Sequence, residues 1–427
     1  MDKALLKKAA LQSVVLMLGV IMLSYAIKRY NSIAISASTN EDISPNMQQG
    51  IGDFDQGILK LNESEFNVID HADIDVDVDP VVRSNPIFLD TTIDFNNDIL
   101  EQIGNKYLII RKPQGEELKL QFEDIYITKN LKLIISGFMR ENPDVNYIGR
   151  INKEDVFVGE PKFSQKVILE QEDGIYTPII TRDYGNDPVN DIIIKSQTDD
   201  FGYSVYEITL QLDHVYAHIL YEDDYFYYID LKRPKEVYDK ILVIDAGHGG
   251  TDPGALSKDE LTYEKNLNLK ILLELKELLK NRDIKVYYTR INDDKIFLRP
   301  RVNLANDVDC DFFISIHCNS GGDYKKINGT EILYYDHVHK GISSKDMAKI
   351  FSEEISKIVP LKNKGIIQMK NDDVLILHHA KVPAIIVESG YMSNRSDLEY
   401  LMTKEGQAEI AEGIYNGILR AYEELMP

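Results

Sequence analysis

The sequence is poor in cysteine. Only Cys310 and Cys318 occur among its 427 residues, too few for a disulfide scaffold, and they do not form a CxxC metal-binding spacing. If both lie on one strand, they are about 26 Å apart at ~3.3 Å per residue. A disulfide needs Cα atoms within about 7 Å of each other, so this pair is excluded. We interpret both cysteines as small core residues that carry no information about the compartment.

Positive charge is also scarce. The chain has 48 lysines and arginines against 70 acidic residues, a formal net charge of −22. Binding to a phosphate backbone needs clustered lysine and arginine, so the balance argues against a nucleic-acid partner. A chain of this length accommodates two or three domains of roughly 100–200 residues each.

A long apolar run lies at the amino terminus, over residues 9–27. About 20 apolar residues can cross a bilayer, and the preceding Lys3, Lys7 and Lys8 favour an orientation with the amino terminus inside. The pattern predicts an uncleaved signal-anchor, a transmembrane segment over residues 1–30. The alternative is secretion after signal cleavage, although a signal peptide has a shorter core of about 7–15 residues. Both place the body of the protein outside the cytoplasm.

The next two regions differ in composition. Residues 31–80 are rich in aspartate and glutamate, with Lys60 as the single lysine between residues 41 and 80, which predicts a flexible acidic linker. Residues 81–238 contain many short strand-like segments separated by turn signals, which predicts a β-rich accessory region. We interpret His214 and His218 there as structural, because the preceding residues have a strand pattern.

Four tyrosines lie close together in the β-rich region: Tyr221, Tyr225, Tyr227 and Tyr228. They could stack on sugars, but alternating aromatic residues on strands more often form cross-strand packing. We therefore favour a packing role.

Residues 239–427 alternate between strand and helix patterns. This predicts the α/β class, with a mostly parallel open sheet flanked by helices. A buried strand over residues 241–244 leads into a glycine-rich turn that contains His248. A second strand ends at His317 and a third ends at Glu388, while an amphipathic helix begins near Glu264.

Each of these four residues alone has a plain structural explanation. His248 fits a glycine-rich loop, and Glu264 in a first helical turn offsets the helix dipole. Together they converge, because ligand sites of open α/β sheets lie at the carboxyl ends of the strands. Two histidines and one carboxylate with an open fourth position form a catalytic zinc site, which predicts His248, Glu264 and His317 as metal ligands. Glu388 would then handle protons beside them.

Residues 241–425 resemble the zinc-dependent N-acetylmuramoyl-L-alanine amidase family. The resemblance rests on residues 245–250, 252–255, 264–266, Leu298-x-x-Arg301 with 305–306, 315–319, 329–331 and 383–394. It implies that zinc is held by His248, Glu264 and His317, with Glu388 as the catalytic acid/base. It also implies peptidoglycan as the substrate, cleaved by zinc-activated water at the amide between N-acetylmuramic acid and the L-alanine of the stem peptide.

The resemblance departs from some relatives in one respect. A long helical insertion after the second histidine motif covers the zinc in those relatives, but only residues 320–328 are available here. We therefore expect an open site, regulated by localisation or by the accessory region, which weakly resembles peptidoglycan-binding β-domains.

We interpret His378 and His379 as part of an exposed loop, with substrate contact as the alternative. Two other functions stay open: another zinc hydrolase, such as a peptidase, and a non-catalytic wall-binding protein.

Overall fold

The computed structural model describes residues 95–113, 118–138, 148–172, 175–198, 203–257, 261–321, 326–370 and 374–426, which belong to one compact unit. The predicted signal-anchor (1–30) and acidic linker (31–80) lie outside the described residues. Within the described ranges, no helix is both long and apolar enough to cross a bilayer.

The first part of the described chain is almost entirely β-structure, with one short helix, α1 (Asn97–Leu100). Its strands are β1 (Lys106–Arg111), β2 (Lys119–Ile125), β3 (Asn130–Phe138), β4 (Ile148–Asn152), β5 (Asp155–Val158), β6 (Ser164–Glu172), β7 (Ile175–Asp183), β8 (Val189–Thr198), β9 (Ser204–Leu212), β10 (Ala217–Glu222) and β11 (Phe226–Lys232). Two 3-10 helices accompany them, Tyr126–Thr128 and Pro234–Glu236.

These strands form a β-sandwich. An antiparallel sheet in the order β10-β11-β1-β4-β5 packs on a second one in the order β2-β3-β9-β8, and β6 and β7 pair separately. The shared core takes alternate residues from both sheets, such as Leu108 and Ile110 from β1 and Leu131 and Leu133 from β3. This alternation is what two sheets with one buried face each require.

The second part of the chain is an α/β domain. Its strands are β12 (Ile241–Ala246), β13 (Lys285–Tyr288), β14 (Phe312–Asn319), β15 (Thr330–Tyr334), β16 (Val338–His339), β17 (Ile342–Ser343), β18 (Asn363–Gln368) and β19 (Ala384–Tyr391). Its helices are α2 (Glu264–Leu279), α3 (Leu298–Asp307), α4 (Ser344–Ile358), α5 (Leu375–His378), α6 (Arg395–Leu401) and α7 (Lys404–Leu425).

Six of these strands form a mixed sheet in the order β13-β12-β14-β19-β15-β18. All neighbouring pairs are parallel except β15 with β19, which is antiparallel. Helices α2, α4 and α7 cover one face, and α3 and α5 cover the other. Because both faces are covered, the central strands are buried along their length, as β12 illustrates with six buried residues, five of them apolar. The α/β class is confirmed for this part of the chain, and the sheet is mixed.

One sequence-based detail is wrong. The recurrence of Leu267, Ile271, Leu275 and Leu278 at helical spacing predicts that all four lie on the buried face of α2. Leu278 is instead 41% exposed, and its neighbour Leu279 is buried. Residue 279 lies four positions after Leu275, which keeps it on the stripe that faces the sheet.

The β-sandwich packs against the end of the sheet where β12, β13 and β14 begin. Asp307, at the carboxyl end of α3, accepts a hydrogen bond from the backbone N–H of Val215 at 2.6 Å, and its other oxygen lies 2.6 Å from Nδ1 of His214. Asp311, just before β14, forms an ion pair with Lys235 and accepts a hydrogen bond from the N–H of Ile241 at 2.7 Å. The described part of the β-sandwich therefore contacts the sheet at the amino ends of its strands.

Lys285, the first residue of β13, lies among three tyrosine rings at the same interface. Its Nζ is 5.4 Å from the ring centroid of Tyr126, 5.2 Å from that of Tyr238 and 5.1 Å from that of Tyr287. Cation–π attraction to a desolvated ammonium is worth roughly 2 kcal/mol. These contacts join a 3-10 helix of the sandwich to the edge strand of the six-stranded sheet.

Candidate metal centre and active site

The loop after β12 places His248 above the carboxyl end of the sheet. His248 has φ 61°, a left-handed conformation that few non-glycine residues adopt, and Gly249 and Gly250 follow with φ 134° and 58°. Gly249 and Asp252 close the loop with two backbone hydrogen bonds of 3.0 Å. The glycines flank the histidine in a turn tight enough to aim its ring back over the sheet.

Two buried arginines bind the carbonyl groups of this loop. Arg290 donates to the carbonyl oxygens of Ala246 and Gly247 at 2.8 Å each. Arg301 donates to those of Ala246 and His248 at 2.7 Å each. These bonds provide donors to carbonyls at the end of the strand, so they hold the left-handed backbone in place.

Asp245 is the counter-ion beneath the loop. Its carboxylate is fully buried and lies 2.6 Å from the guanidinium of Arg301. Thr289 and Ser315 also donate hydrogen bonds to it, at 2.5 and 2.6 Å. Burial would raise the pKa of Asp245, but the charge of Arg301 and the two hydroxyl donors lower it. The carboxylate is therefore ionised and ties β12 to β14 and α3 directly below His248.

Glu264 opens α2 and lies between the two histidines. Its Oε2 is 3.2 Å from Nε2 of His248, and its Oε1 is 3.0 Å from Nδ1 of His317. Backbone N–H groups also reach the carboxylate, from Ala255 at 2.8 Å and from Cys318 at 3.1 Å. Burial would raise the pKa of Glu264, but its hydrogen bonds to both histidines and their charges lower it.

The structure brings His248, Glu264 and His317 together. One ligand atom from each residue lies within 4.8 Å of the others, and the two imidazole rings have centroids 5.0 Å apart. Two glycines make the close approach possible: a Cβ on Gly247 would lie 2.2 Å from Cε1 of His317, and one on Gly254 would lie 2.5 Å from the carboxylate of Glu264. The group can therefore hold a metal ion.

A carboxylate fixes the orientation of the first histidine. Nδ1 of His248 lies 2.9 Å from Asp252, which leaves Nε2 directed at Glu264. Burial would lower the pKa of His248, but its contacts with Glu264 and Asp252 outweigh burial and raise the pKa to about 9. A carboxylate behind a histidine is a common arrangement around metal ligands.

Glu388 lies on β19, directly opposite His317 on the neighbouring strand β14. Its side chain is buried, and its Oε2 has no hydrogen-bond partner. Burial raises the pKa of Glu388 to about 7; the charges of Glu264 and Glu331 add to this and those of His317 and His248 oppose it. A buried carboxyl with one unpartnered oxygen and this pKa can both accept and release a proton near neutral pH.

The other singled-out residues lie elsewhere. His214 contacts Asp307, and Nε2 of His218 lies 3.1 Å from Asp124, so the two rings have separate carboxylate partners. The expectation of an exposed loop is wrong for His378, which is half-buried as the last residue of helix α5, whereas the exposed His379 caps that helix.

Of the four tyrosines, Tyr221 and Tyr228 are cross-strand partners, Tyr227 is buried, and Tyr225 is exposed. Three of the four therefore serve packing within the sandwich.

Sequence reasoning missed Arg290 and the ion pair of Glu331 with Lys364. The one available signal for Arg290 was its position two residues after the end of the short strand β13, where a charged residue can turn back over the sheet edge. Glu331 belonged to a motif, but nothing in the sequence connected it to Lys364, which follows an intervening helix.

Comparisons with known proteins identify the family of the second part of the chain. The family model for N-acetylmuramoyl-L-alanine amidase matches residues 242–420. The chain is 33% identical over 183 residues to the N-acetylmuramoyl-L-alanine amidase CwlM of Bacillus licheniformis, an overlap of 42% of this chain and 68% of that protein. It is 32% identical to the sporulation-specific N-acetylmuramoyl-L-alanine amidase of Bacillus subtilis, again over 42% of this chain and 68% of the relative.

Among solved structures, an N-acetylmuramoyl-L-alanine amidase from Clostridium difficile 630 matches with 32% identity and a TM-score of 0.41, covering 43% of this chain and 97% of that one. Residues 242–420, which the family model matches, contain His248, Glu264, His317 and Glu388. The chain therefore belongs to the N-acetylmuramoyl-L-alanine amidase family and is an enzyme that hydrolyses peptidoglycan.

Proposed function

We propose that His248, Glu264 and His317 hold a zinc ion and that Glu388 is the catalytic acid/base. The reaction is hydrolysis of the amide between N-acetylmuramic acid and the L-alanine of the stem peptide. One observation carries the proposal: three ligand atoms converge within 4.8 Å, one strand away from a buried carboxylate with an unpartnered oxygen.

The donor set fits zinc. Two imidazole nitrogens and one carboxylate oxygen form a three-ligand catalytic site with one position left for water or substrate. The side chains of His248 and His317 keep 26% and 17% of their surface exposed, so solvent and substrate can reach the ligands. Strands β14 and β15 are separated by residues 320–329 only, and no described residue among them forms a helix over the site. These features support an open site.

The bound ion would supply Lewis acidity, polarising the scissile carbonyl and lowering the pKa of a water toward ~7. Glu388 then has two tasks. It accepts a proton from the attacking water on its unpartnered Oε2, and it delivers that proton to the amine nitrogen of L-alanine as the C–N bond breaks. Without an ion, burial raises the pKa of Glu388 to about 7, and the charge of a bound zinc would lower it toward the ionised form that accepts a proton.

The proposal extends to the arrangement of the whole chain. We assign residues 239–427 as the catalytic domain and 81–238 as an accessory region, and we propose that the enzyme acts outside the cytoplasm on the cell wall. Anchoring by residues 1–30 and a linker over 31–80 stay predictions from the sequence. Wall binding by the accessory region is a proposal that a pull-down with purified sacculi tests.

The test is Glu388→Gln in the full chain. The variant keeps the shape of the side chain but cannot shuttle a proton, so we expect full zinc content by elemental analysis and turnover lower by about 10²–10⁴-fold. Mass analysis of a peptidoglycan digest identifies the bond: an amidase releases intact stem peptides with a free L-alanine amine, whereas a peptidase cuts within the stem.

Glu354→Gln is the matched control. Glu354 is also a buried glutamate, but it lies on α4 and pairs with Lys357 and Arg420. We expect unchanged turnover from this variant. Retained hydrolysis in Glu388→Gln would remove Glu388 from the mechanism, and zinc-free protein with full sacculus affinity would favour a non-catalytic binding role.

A further inference from the structure

A second buried carboxylate, Glu331, lies beside the proposed catalytic one. Glu331 on β15 is the direct cross-strand partner of Glu388 on β19, so the two side chains project from the same face of the sheet. Like charges placed directly opposite each other destabilise a sheet. A buried glutamate at this position therefore needs a specific reason and a counter-ion.

Both oxygens of Glu331 are occupied. Oε1 accepts hydrogen bonds from Asn319 Nδ2 at 2.6 Å and from the hydroxyl of Tyr391 at 2.8 Å. Oε2 lies 2.5 Å from Nζ of Lys364, which also contacts the Tyr391 hydroxyl and lies 4.5 Å from the centroid of its ring. The carboxylate is thus held by three side chains from three different strands.

These contacts join the strand ends that carry the active-site groups. Asn319 is two residues after His317 on β14, and Tyr391 is three residues after Glu388 on β19. The register between β14 and β19 shifts between His317 and Asn319, so the backbone ladder alone does not fix the two ends there. Glu331 bridges the ends across this irregularity.

We propose that Glu331 and its counter-ion Lys364 form a positioning pair for the catalytic carboxylate of Glu388. The proposal rests on the role assigned to Glu388 above. The buried carboxylate of Glu331 accepts three hydrogen bonds, and a buried charge needs a charged partner. Lys364 supplies that partner from β18, on the far side of β15. Without Lys364, the charge of Glu331 beside Glu388 is uncompensated, and repulsion moves the two carboxylates apart.

The test is Lys364→Met in the full chain, with kcat and KM measured per bound zinc. Misplacing a reacting group by about 1 Å can cost on the order of 10²-fold in rate, so we expect kcat to fall about 10–100-fold. KM should stay within about threefold, because the pair acts on Glu388 rather than on substrate. Lys364→Arg keeps the charge and should recover most of the lost kcat.

A double variant separates charge balance from simple loss of a contact. The double variant with Glu331→Gln and Lys364→Met removes both charges. Because the two residues are in contact, the fold-decrease in its kcat should be clearly smaller than the product of the fold-decreases in the two single variants. Multiplicative losses would overturn the proposal.

Lys235→Met is the matched control. Lys364 is 25% exposed against a partner that is 4% exposed, and Lys235 is 29% exposed against Asp311 at 6%. Asp311 lies at the opposite end of the sheet, so Lys235→Met should keep wild-type kcat per zinc. Equal kcat losses in the two variants, or wild-type kcat in Lys364→Met while Glu388→Gln is inactive, would overturn the positioning pair alone. Activity in Glu388→Gln would instead remove the proposed function on which the pair depends.

Discussion

Arg301→Met measures how far the histidine loop depends on one buried ion pair. The substitution keeps a long, unbranched side chain but removes the guanidinium. Asp245 then loses its counter-ion, and the carbonyl oxygens of Ala246 and His248 each lose a donor at 2.7 Å. The loop that aims His248 is thereby weakened together with the domain core.

The expected loss of stability is large. Removing one partner of a buried pair costs about 3–5 kcal/mol because the other charge stays buried and unpaired, out of a total of about 5–15 kcal/mol for a folded domain. At about 2–4 °C per kcal/mol for a domain of 150–250 residues, the melting temperature should fall by about 6–20 °C. Zinc affinity should fall as well, since the backbone of one ligand is no longer held.

The assay is thermal unfolding followed by circular dichroism at 222 nm, because the chain contains no tryptophan to report by fluorescence. The pH dependence gives an independent signature. Arg301 lowers the pKa of Asp245 in the wild type, so its stabilising effect is present above the pKa of the unfolded carboxyl and is lost as the pH falls. In the variant, protonation of Asp245 removes the unpaired charge. The difference in melting temperature between the wild type and Arg301→Met should therefore become smaller as the pH falls.

Arg395→Met serves as the control. Arg395 pairs with Glu399 but is 92% exposed, and such pairs contribute about 0–1 kcal/mol. If Arg301→Met melts within about 2 °C of the wild type, or no lower than Arg395→Met, the buried pair does not support the loop as described.

Three further predictions concern the metal centre. Gly247→Ala should lose most bound zinc, because the added Cβ would lie 2.2 Å from the ring of His317; full zinc content by elemental analysis would contradict that contact. Asp252→Ala should weaken zinc binding about 10–100-fold by releasing Nδ1 of His248, as competition with a fluorescent chelator can measure. The pKa of metal-free His248 is raised to about 9 and the metal binds a neutral nitrogen, so zinc binding at pH 7.5 should release about one proton, and zinc affinity should rise with pH until about 9. Calorimetry in two buffers of different ionisation enthalpy measures the released proton. An equal binding enthalpy in the two buffers would contradict the prediction.

The sequence alone indicated the catalytic sheet because its signals are local. Apolar runs that end in a histidine or a glutamate can be recognised residue by residue, and the carboxyl-end rule then brings His248, His317 and Glu388 to one edge. Glu264 followed from the start of an amphipathic helix. Chemistry and strand polarity thus located the four side chains without long-range information.

The supporting groups were not predictable in the same way. Arg290 reaches the loop across the edge of the sheet, and Lys364 reaches Glu331 only because β18 and β15 are neighbours. Strand order decides such contacts, and no local pattern specifies it. The antiparallel pairing of β15 with β19 has the same origin: without it, Glu331 would not lie opposite Glu388.

The attachment of the β-sandwich has a consequence for the metal site. Asp311 and Lys285 contact the sandwich where the strands begin, while the proposed metal ligands lie where the strands end. The six residues of β12, at ~3.3 Å each, separate these contacts from the ligands by roughly 20 Å. In the described part of the chain, the surface of the sandwich is therefore not in contact with the ligands, so that surface can vary without altering the metal site.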